Sequence, residues 1–154
     1  MECCFSVRMR AAKLLPLVVL ALTAGMAAAQ DAVVLVVGRD SPINEISLLD
    51  IRKAYLGISV SLGGGTVRPL RRNDDEQLNQ IFMQTVIAMS ERSYERRLLS
   101  LMLRFGTPRP EETDDRDELD RRLAERPYSI AYMWKSEAEA DARVKVVRTL
   151  WQDH

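Results

Sequence analysis

The chain has 154 residues, of which 47% are hydrophobic and 29% are charged, with 22 basic and 22 acidic side chains. This even balance gives no footprint for nucleic acid or for an anionic membrane surface, since both select strongly basic proteins. The only histidine is the terminal His154. The chain therefore lacks the histidines that the usual hydrolase triads and zinc sites require. The composition therefore predicts a protein that is not an enzyme and that holds no metal ion or cofactor.

The first 29 residues have the pattern of an export signal. Three basic residues lie between positions 8 and 13, an apolar run follows at positions 14–22, and small residues end at Ala29. The apolar run is shorter than the roughly 20 residues that span a bilayer. We therefore expect cleavage after Ala29, one domain over residues 30–154, and a periplasmic location.

The two cysteines, Cys3 and Cys4, precede this apolar run, and Met9 is an alternative start of translation. Either start leaves a mature chain without cysteine. A disulfide framework and a thiol nucleophile are both excluded.

The first predicted strand, at residues 33–37, is a continuous apolar and mostly β-branched run. Such runs are typical of strands buried on both faces in the interior of a sheet. Ser47 and Asp50 have the spacing of a capping box, which predicts a helix from Leu48. Leu48, Ile51 and Tyr55 are expected on its inner face, and Gly57 is expected to end it.

A glycine-rich turn at residues 63–65 leads to a predicted strand at 66–70, which Pro69 leaves with an unpaired side. Asn73 is expected to cap a long helix, and Ser90 to cap the next, which ends at Gly106. Their predicted inner stripes are Leu78, Ile81, Phe82, Thr85, Val86 and Met89 for the first, and Tyr94, Leu98, Leu101, Met102 and Phe105 for the second.

After a stiff loop at residues 107–110, Thr113 or Asp114 is expected to open a third helix that carries Leu119 and Leu123 and ends before Pro127. A strand at 128–133, a charged helical turn at 136–142 and a last strand at 144–147 complete the chain. The element order predicts an α/β fold with a small mixed sheet flanked by helices.

Three segments in this order resemble phosphate-type periplasmic substrate-binding proteins. Residues 44–57 resemble that family's loop and leucine-rich helix ending in Leu-Gly, residues 67–72 its following strand, and residues 126–132 its "Pro-Gly-Ala-Ile-Gly-Tyr" strand. The resemblance implies a single lobe of a type II periplasmic-binding-protein-like fold. Full-length members have two lobes that clamp the ligand, so this chain is expected to be one lobe standing alone.

In that family, a Ser-Gly-Thr or Ser-Gly-Ser run at a helix start holds the phosphate. The matching positions here are Asn73, Asp74 and Asp75, followed by Glu76. Carboxylates at a helix start satisfy the helix dipole and repel an incoming dianion. The preceding arginines, among them Arg68, either restore a positive pocket or pair with these carboxylates on a solvated face. The resemblance thus implies a degenerate ligand set: Ser41, Arg71, Arg72, Asn73, Asp74 and Asp75.

Two functions stay open at this point. The first is an ABC transporter substrate-binding-like protein for a small anion such as phosphate, with a second copy as a candidate partner to rebuild a cleft. The alternative is a periplasmic adaptor that binds no ligand and docks on a membrane sensor or transporter.

Two charged segments of the chain have competing interpretations. The acidic run at residues 111–120 is interpreted as dipole compensation at a helix start, because it lacks the spacing of a calcium loop. The basic face of the helix from Glu91 is either a solvated surface or a dock for an acidic partner. Its arginines are Arg92, Arg96, Arg97 and Arg104.

Overall fold

A buried strand, β1, lies inside a five-stranded mixed sheet in the computed structural model, which describes residues 32–153. All seven residues of β1 (Ala32–Gly38) are buried, because apolar side chains project from both faces of the strand. The strand order is β5 (Glu111–Thr113), β4 (Arg68–Arg72), β6 (Ser129–Trp134), β1 and β7 (Val144–Gln152), with β1 antiparallel to both of its neighbours. The predicted interior position of this strand is confirmed. The predicted export signal lies outside the described residues.

The remaining elements follow in an alternating order. They are α1 (Leu48–Tyr55), β2 (Ser61–Leu62), β3 (Gly65–Thr66), β4 (Arg68–Arg72), α2 (Glu76–Phe82), a π-helical turn (Met83–Ile87), α3 (Glu91–Phe105), β5 (Glu111–Thr113), α4 (Arg116–Glu125), β6 (Ser129–Trp134), α5 (Lys135–Ala140) and β7 (Val144–Gln152). Strands β5, β4 and β6 are adjacent and parallel. The short strands β2 and β3 form a separate hairpin.

Helices cover both faces of the sheet, and each face has its own buried layer. Val33, Leu35 and Val37 pack with side chains of α1, α2 and α3, while Val34 and Val36 pack with α4 and α5. Tyr55, Phe82 and Tyr132 form an aromatic cluster in the first layer, where the rings of Phe82 and Tyr132 stack at 3.8 Å between centroids. The predicted α/β fold with a mixed sheet flanked by helices is confirmed.

The end of β1 approaches the backbone of α4 closely. A Cβ atom placed on Gly38 would lie 2.2 Å from the carbonyl oxygen of Leu123, which no side chain tolerates. Glycine at this position therefore fixes how closely α4 packs on the sheet.

The helix after β4 begins later than the sequence predicted. Its N-cap is Asp75, whose carboxylate accepts a hydrogen bond from the Leu78 amide at 2.9 Å. The expectation that Asn73 is the cap is wrong. The backbone N–H of Asn73 donates to the Thr113 carbonyl at 3.1 Å and so continues the pairing of β4 with β5. The helix is also interrupted: it passes into the π-helical turn and stops at Ala88, which is left-handed with φ 57°.

The third predicted helix also begins later, at the cap Asp115, because residues 111–113 form the edge strand β5 instead. The last strand runs to Gln152, beyond its predicted end. Four residues predicted on inner faces are exposed. Leu48 lies in the first turn of α1, before the buried Ile51, and Thr85 lies on the outer side of the π-helical turn. Met102 and Phe105 are exposed at the end of α3, beyond its buried first half.

Candidate functional site

Three helices begin at one edge of the sheet. Strands β5, β4 and β6 are parallel neighbours, and α4, α2 and α5 follow them after turns of up to three residues. The carboxyl ends of the strands and the amide-rich starts of the helices therefore meet at this edge. Ligands of open α/β sheets bind at such edges, and free amides at helix starts favour anions.

Arg72, the last residue of β4, lies at the centre of this edge and is buried. Its Nε and Nη2 donate to the two oxygens of Asp74 at 2.8 and 2.6 Å, and its Nη1 donates to Glu137 at 2.7 Å. The hydrogen bonds from Arg72 hold the pKa of Asp74 below its usual range. Each nitrogen of this guanidinium is therefore already bound to a carboxylate.

Arg71 precedes Arg72 in the strand, so its side chain points to the opposite face of the sheet. It is buried against the ring of Tyr94, 4.9 Å from the ring centroid. Its guanidinium pairs with Glu91 at 3.0 Å and with Glu95 and Glu112 at 3.5 Å each. The two arginines are thus not on a solvated face, and only Arg72 pairs with a carboxylate of the predicted run at residues 74–76.

Asp75 and Asn73 are also engaged within the fold. The second carboxylate oxygen of Asp75 accepts a hydrogen bond from the Trp134 indole at 2.7 Å. The side-chain nitrogen of Asn73, Nδ2, donates to the Glu112 carboxylate at 3.0 Å. Both residues precede or cap the helix after β4, close to the predicted helix start, and their side chains form contacts within the edge.

Ser41 lies at the opposite end of the sheet. It follows β1, which is antiparallel to β6, and its hydroxyl donates to the Pro127 carbonyl at 2.5 Å while accepting from the Ile43 amide at 3.2 Å. The structure therefore does not bring Ser41 together with the other five candidates. We call the charged residues at the β4 end, Arg71, Arg72, Asp74, Asp75 and Glu137, the strand-end cluster.

Sequence reasoning missed Glu137 and the ion pairs beyond it. The Glu137 carboxylate accepts from the Trp134 amide at the start of α5 and pairs with Arg116 at 3.1 Å. Arg116 also forms an ion pair with the buried Asp120 at 2.9 Å, and Arg143 contacts the same carboxylate at 3.0 Å. Burial raises the pKa of Asp120, against the opposite effect of Arg116. Only the i, i+4 spacing of Arg116 and Asp120 was a signal in the sequence.

The charges at this edge are balanced internally. The carboxylates of Asp74 and Glu137 occupy the guanidinium donors of Arg72. Within residues 32–153 no group of three or more potential metal ligands occurs, and no helix there is long and apolar enough to cross a bilayer.

Comparison with known proteins gives a match in structure but not in sequence. No protein-family model matches the chain, and no curated protein sequence does. A phosphate ABC transporter substrate-binding protein of Clostridium perfringens, solved with bound phosphate, superposes with a TM-score of 0.58 at 18% identity. An ABC-type phosphate transport receptor from Vibrio cholerae gives 0.55 at 11%, and PstS from Borrelia burgdorferi gives 0.54 at 13%.

The fold is that of phosphate-type substrate-binding proteins. These matches cover 76–77% of this chain but only 44–46% of theirs, so the chain spans less than half the length of the phosphate-type proteins. The resemblance stated from the sequence is confirmed at the level of the fold. The single-lobe expectation agrees with this partial coverage.

Proposed function

We propose that the protein is an exported accessory domain with the phosphate-type fold, which docks on a membrane transporter or sensor and does not itself capture phosphate. One observation carries the proposal that phosphate is not captured: five carboxylates pair with the two buried arginines at the end of β4. An arriving phosphate would have to displace Asp74 and Glu137 from Arg72, and Asp74 would lose its cation while Glu137 kept only Arg116.

The energetics favour the internal pairs. Arg72 and Asp74 form a bidentate pair in which only 4% and 27% of the respective side chains are exposed. Bidentate arginine–carboxylate pairs are among the strongest polar contacts in proteins. Loss of the Arg72–Asp74 pair costs about 1–2 kcal/mol, since hydrogen bonds between charged groups contribute more than neutral ones. A dianion would have to outcompete these carboxylates for Arg72 before it gained any net affinity.

A second candidate is the capture of phosphate or another small anion. It is favoured by the three helix starts that meet at this edge and by the two arginines beside them. Under this alternative, a second copy of the chain would help to enclose the ligand, because pockets bury most of a small ligand. Light scattering with and without phosphate would detect that pairing.

The test is a calorimetric titration of phosphate, with sulfate as a comparison anion, into residues 30–154 and into an Asp74→Ser/Glu137→Gln variant. These residues include the whole sheet and both buried layers. We expect no binding heat for the parent protein. In the variant, freed Arg72 donors should give saturable binding near about 1 mM, equivalent to roughly 4 kcal/mol.

Glu139→Gln is the matched control, because Glu139 lies on the same helix and makes only an exposed pair with Lys135. This control should behave like the parent protein. Saturable binding by the parent below about 100 micromolar would overturn the proposal in favour of anion capture. Absence of binding by the double variant would show that the two carboxylates are not what keeps phosphate out.

A further inference from the structure

Helix α3 carries a set of apolar side chains that face solvent. Tyr94 and Leu98, in its first half, are buried, but Leu103 and Phe105 near its end are each 74% exposed. Leu99 and Met102 are exposed beside them. The last turns of this helix therefore extend past the buried layer on which its first half packs.

The same helix carries arginines without acidic partners. Arg92, Arg96, Arg97 and Arg104 are exposed, and in the part of the chain that the structure describes none of the four is in an ion pair with a carboxylate. The two acidic residues of α3 are turned toward other arginines, Glu91 toward Arg71 and Glu95 toward Arg71 and Arg109. Residues 96–110 contain no Asp or Glu at all.

Helical spacing arranges these residues in a directional pattern. Arg92, Arg96, Leu99 and Leu103 repeat at intervals of four, three and four, so they share the outward stripe of α3. From Arg92 to Leu103 the helix rises about 16 Å. The two arginines thus lie toward one end of the stripe, and the two leucines lie toward the other. Phe105 follows Leu103 by two residues, so it projects from the other side of the helix end.

We propose that the outer face and C-terminal end of α3 bind the surface of a membrane that contains anionic phospholipids. Leu99 and Leu103 enter the boundary between headgroups and acyl chains, and Arg92 and Arg96 bind lipid phosphates. Cationic helices with an apolar face bind membranes in this way, with the apolar side chains about 5–10 Å deep. Arginine matches phosphate oxygens through its planar fork of donors.

The charge pattern favours lipid over an acidic protein as the occupant. The four exposed arginines of α3 carry one sign of charge from Arg92 to Arg104, and a continuous plane of lipid phosphates neutralises all of them together. The whole chain has equal numbers of basic and acidic residues, so its composition does not reveal the local excess of arginine on α3. The inference goes beyond the proposed docking function and holds whether or not the strand-end cluster binds phosphate.

The experiment is sedimentation of residues 30–154 with vesicles of phosphatidylglycerol and phosphatidylcholine in equal parts, compared with phosphatidylcholine alone. We expect binding to the anionic vesicles only, weakening with salt. Leu99→Ser/Leu103→Ser should weaken it by about tenfold or more, since both side chains lose their apolar burial. Arg92→Gln/Arg96→Gln should weaken it by roughly threefold and flatten its salt dependence.

Two control variants lie on other helices. Leu49→Ser removes an apolar side chain that is 61% exposed on α1, and Arg121→Gln removes an arginine that is 61% exposed on α4. Both should bind vesicles like the parent protein. Equal binding to the two vesicle types, or no binding, would overturn the inference and leave an acidic protein as the partner of this face. An equal loss in the controls would overturn it too.

Discussion

Arg71 and Arg72 show how a strand separates two neighbouring charges. Side chains alternate across a sheet, so Arg71 reaches Glu91 on α3, while Arg72 reaches Glu137 on α5 across the other face. Each arginine is buried and each has its own carboxylates. Two adjacent basic residues at a strand end therefore do not form one positive pocket here.

The pair of Arg72 and Asp74 predicts a pH dependence of stability. Because the folded-state pKa of Asp74 is lowered by Arg72 from the ordinary 3.8, its contribution is present above that value and is lost as the pH falls through the folded-state pKa. Asp74→Asn should therefore cost about 1–2 kcal/mol of unfolding free energy at pH 7. The cost should shrink below pH ~4.

Urea unfolding of both proteins at pH 7, 5 and 3 measures this difference. Glu139→Gln provides the baseline, because an exposed pair contributes less than about 1 kcal/mol. A cost for Asp74→Asn that stayed constant over this pH range would mean that the ion pair does not stabilise the folded state.

At the scale of the elements, the helix that follows β4 changes from α-helical to π-helical geometry before it ends. Residues 83–87 form a π-helical turn, and the Ala88 amide donates to the Met83 carbonyl at 2.8 Å. Ala88 itself is left-handed, a conformation that costs a residue with a Cβ atom roughly 1–2 kcal/mol. The chain then turns into α3, which Ser90 caps.

Ala88→Gly should therefore stabilise the protein by about 0.5–1 kcal/mol, because glycine adopts this backbone without strain and the exposed Ala88 methyl packs on little. The measurement is the shift of the urea midpoint at constant slope. Ala124→Gly, an exposed position inside α4, should have the opposite sign and cost about 1 kcal/mol. Destabilisation by Ala88→Gly would contradict this account of the turn.

At the scale of the whole molecule, one sheet joins two buried layers. Leu78 lies in the layer of α1, α2 and α3, and Leu123 lies in the layer of α4 and α5. Both layers share strands β1 and β6, so neither face has a sheet of its own. We expect the domain to unfold as one cooperative unit.

Leu78→Ala and Leu123→Ala test this cooperativity, since each creates a cavity in a different layer. Each should lower the free energy of unfolding by about 2–4 kcal/mol. Fluorescence and circular dichroism should report a single transition in each variant, with the midpoint lowered and the slope retained. A second transition in either variant would show that the two layers unfold separately.

The candidate edge is also a property of the whole molecule. It exists because three parallel strands end side by side and three helices start there. The phosphate-type proteins that share this fold are more than twice as long as the part that superposes on this chain. The chain therefore forms such an edge, and the carboxylates of Asp74 and Glu137 pair with the arginine at its centre.

The sequence by itself determined the elements whose signals are local. The apolar run of β1, the serine caps of α1 and α3, and the stop at Gly106 were all predicted, because side-chain period and capping depend on neighbours within a few residues. The order of these elements also predicted the fold and its resemblance to phosphate-type proteins.

Tertiary structure alone decided the parts that depend on distant residues. Strand β5 is short and acidic and forms only because β4 pairs with it, and Ser41 is separated from the other candidates by the antiparallel direction of β1. Glu137, the distant partner of Arg72, is 65 residues away along the chain. The long-range ion pairs follow from packing across the sheet, and no local pattern contains that information.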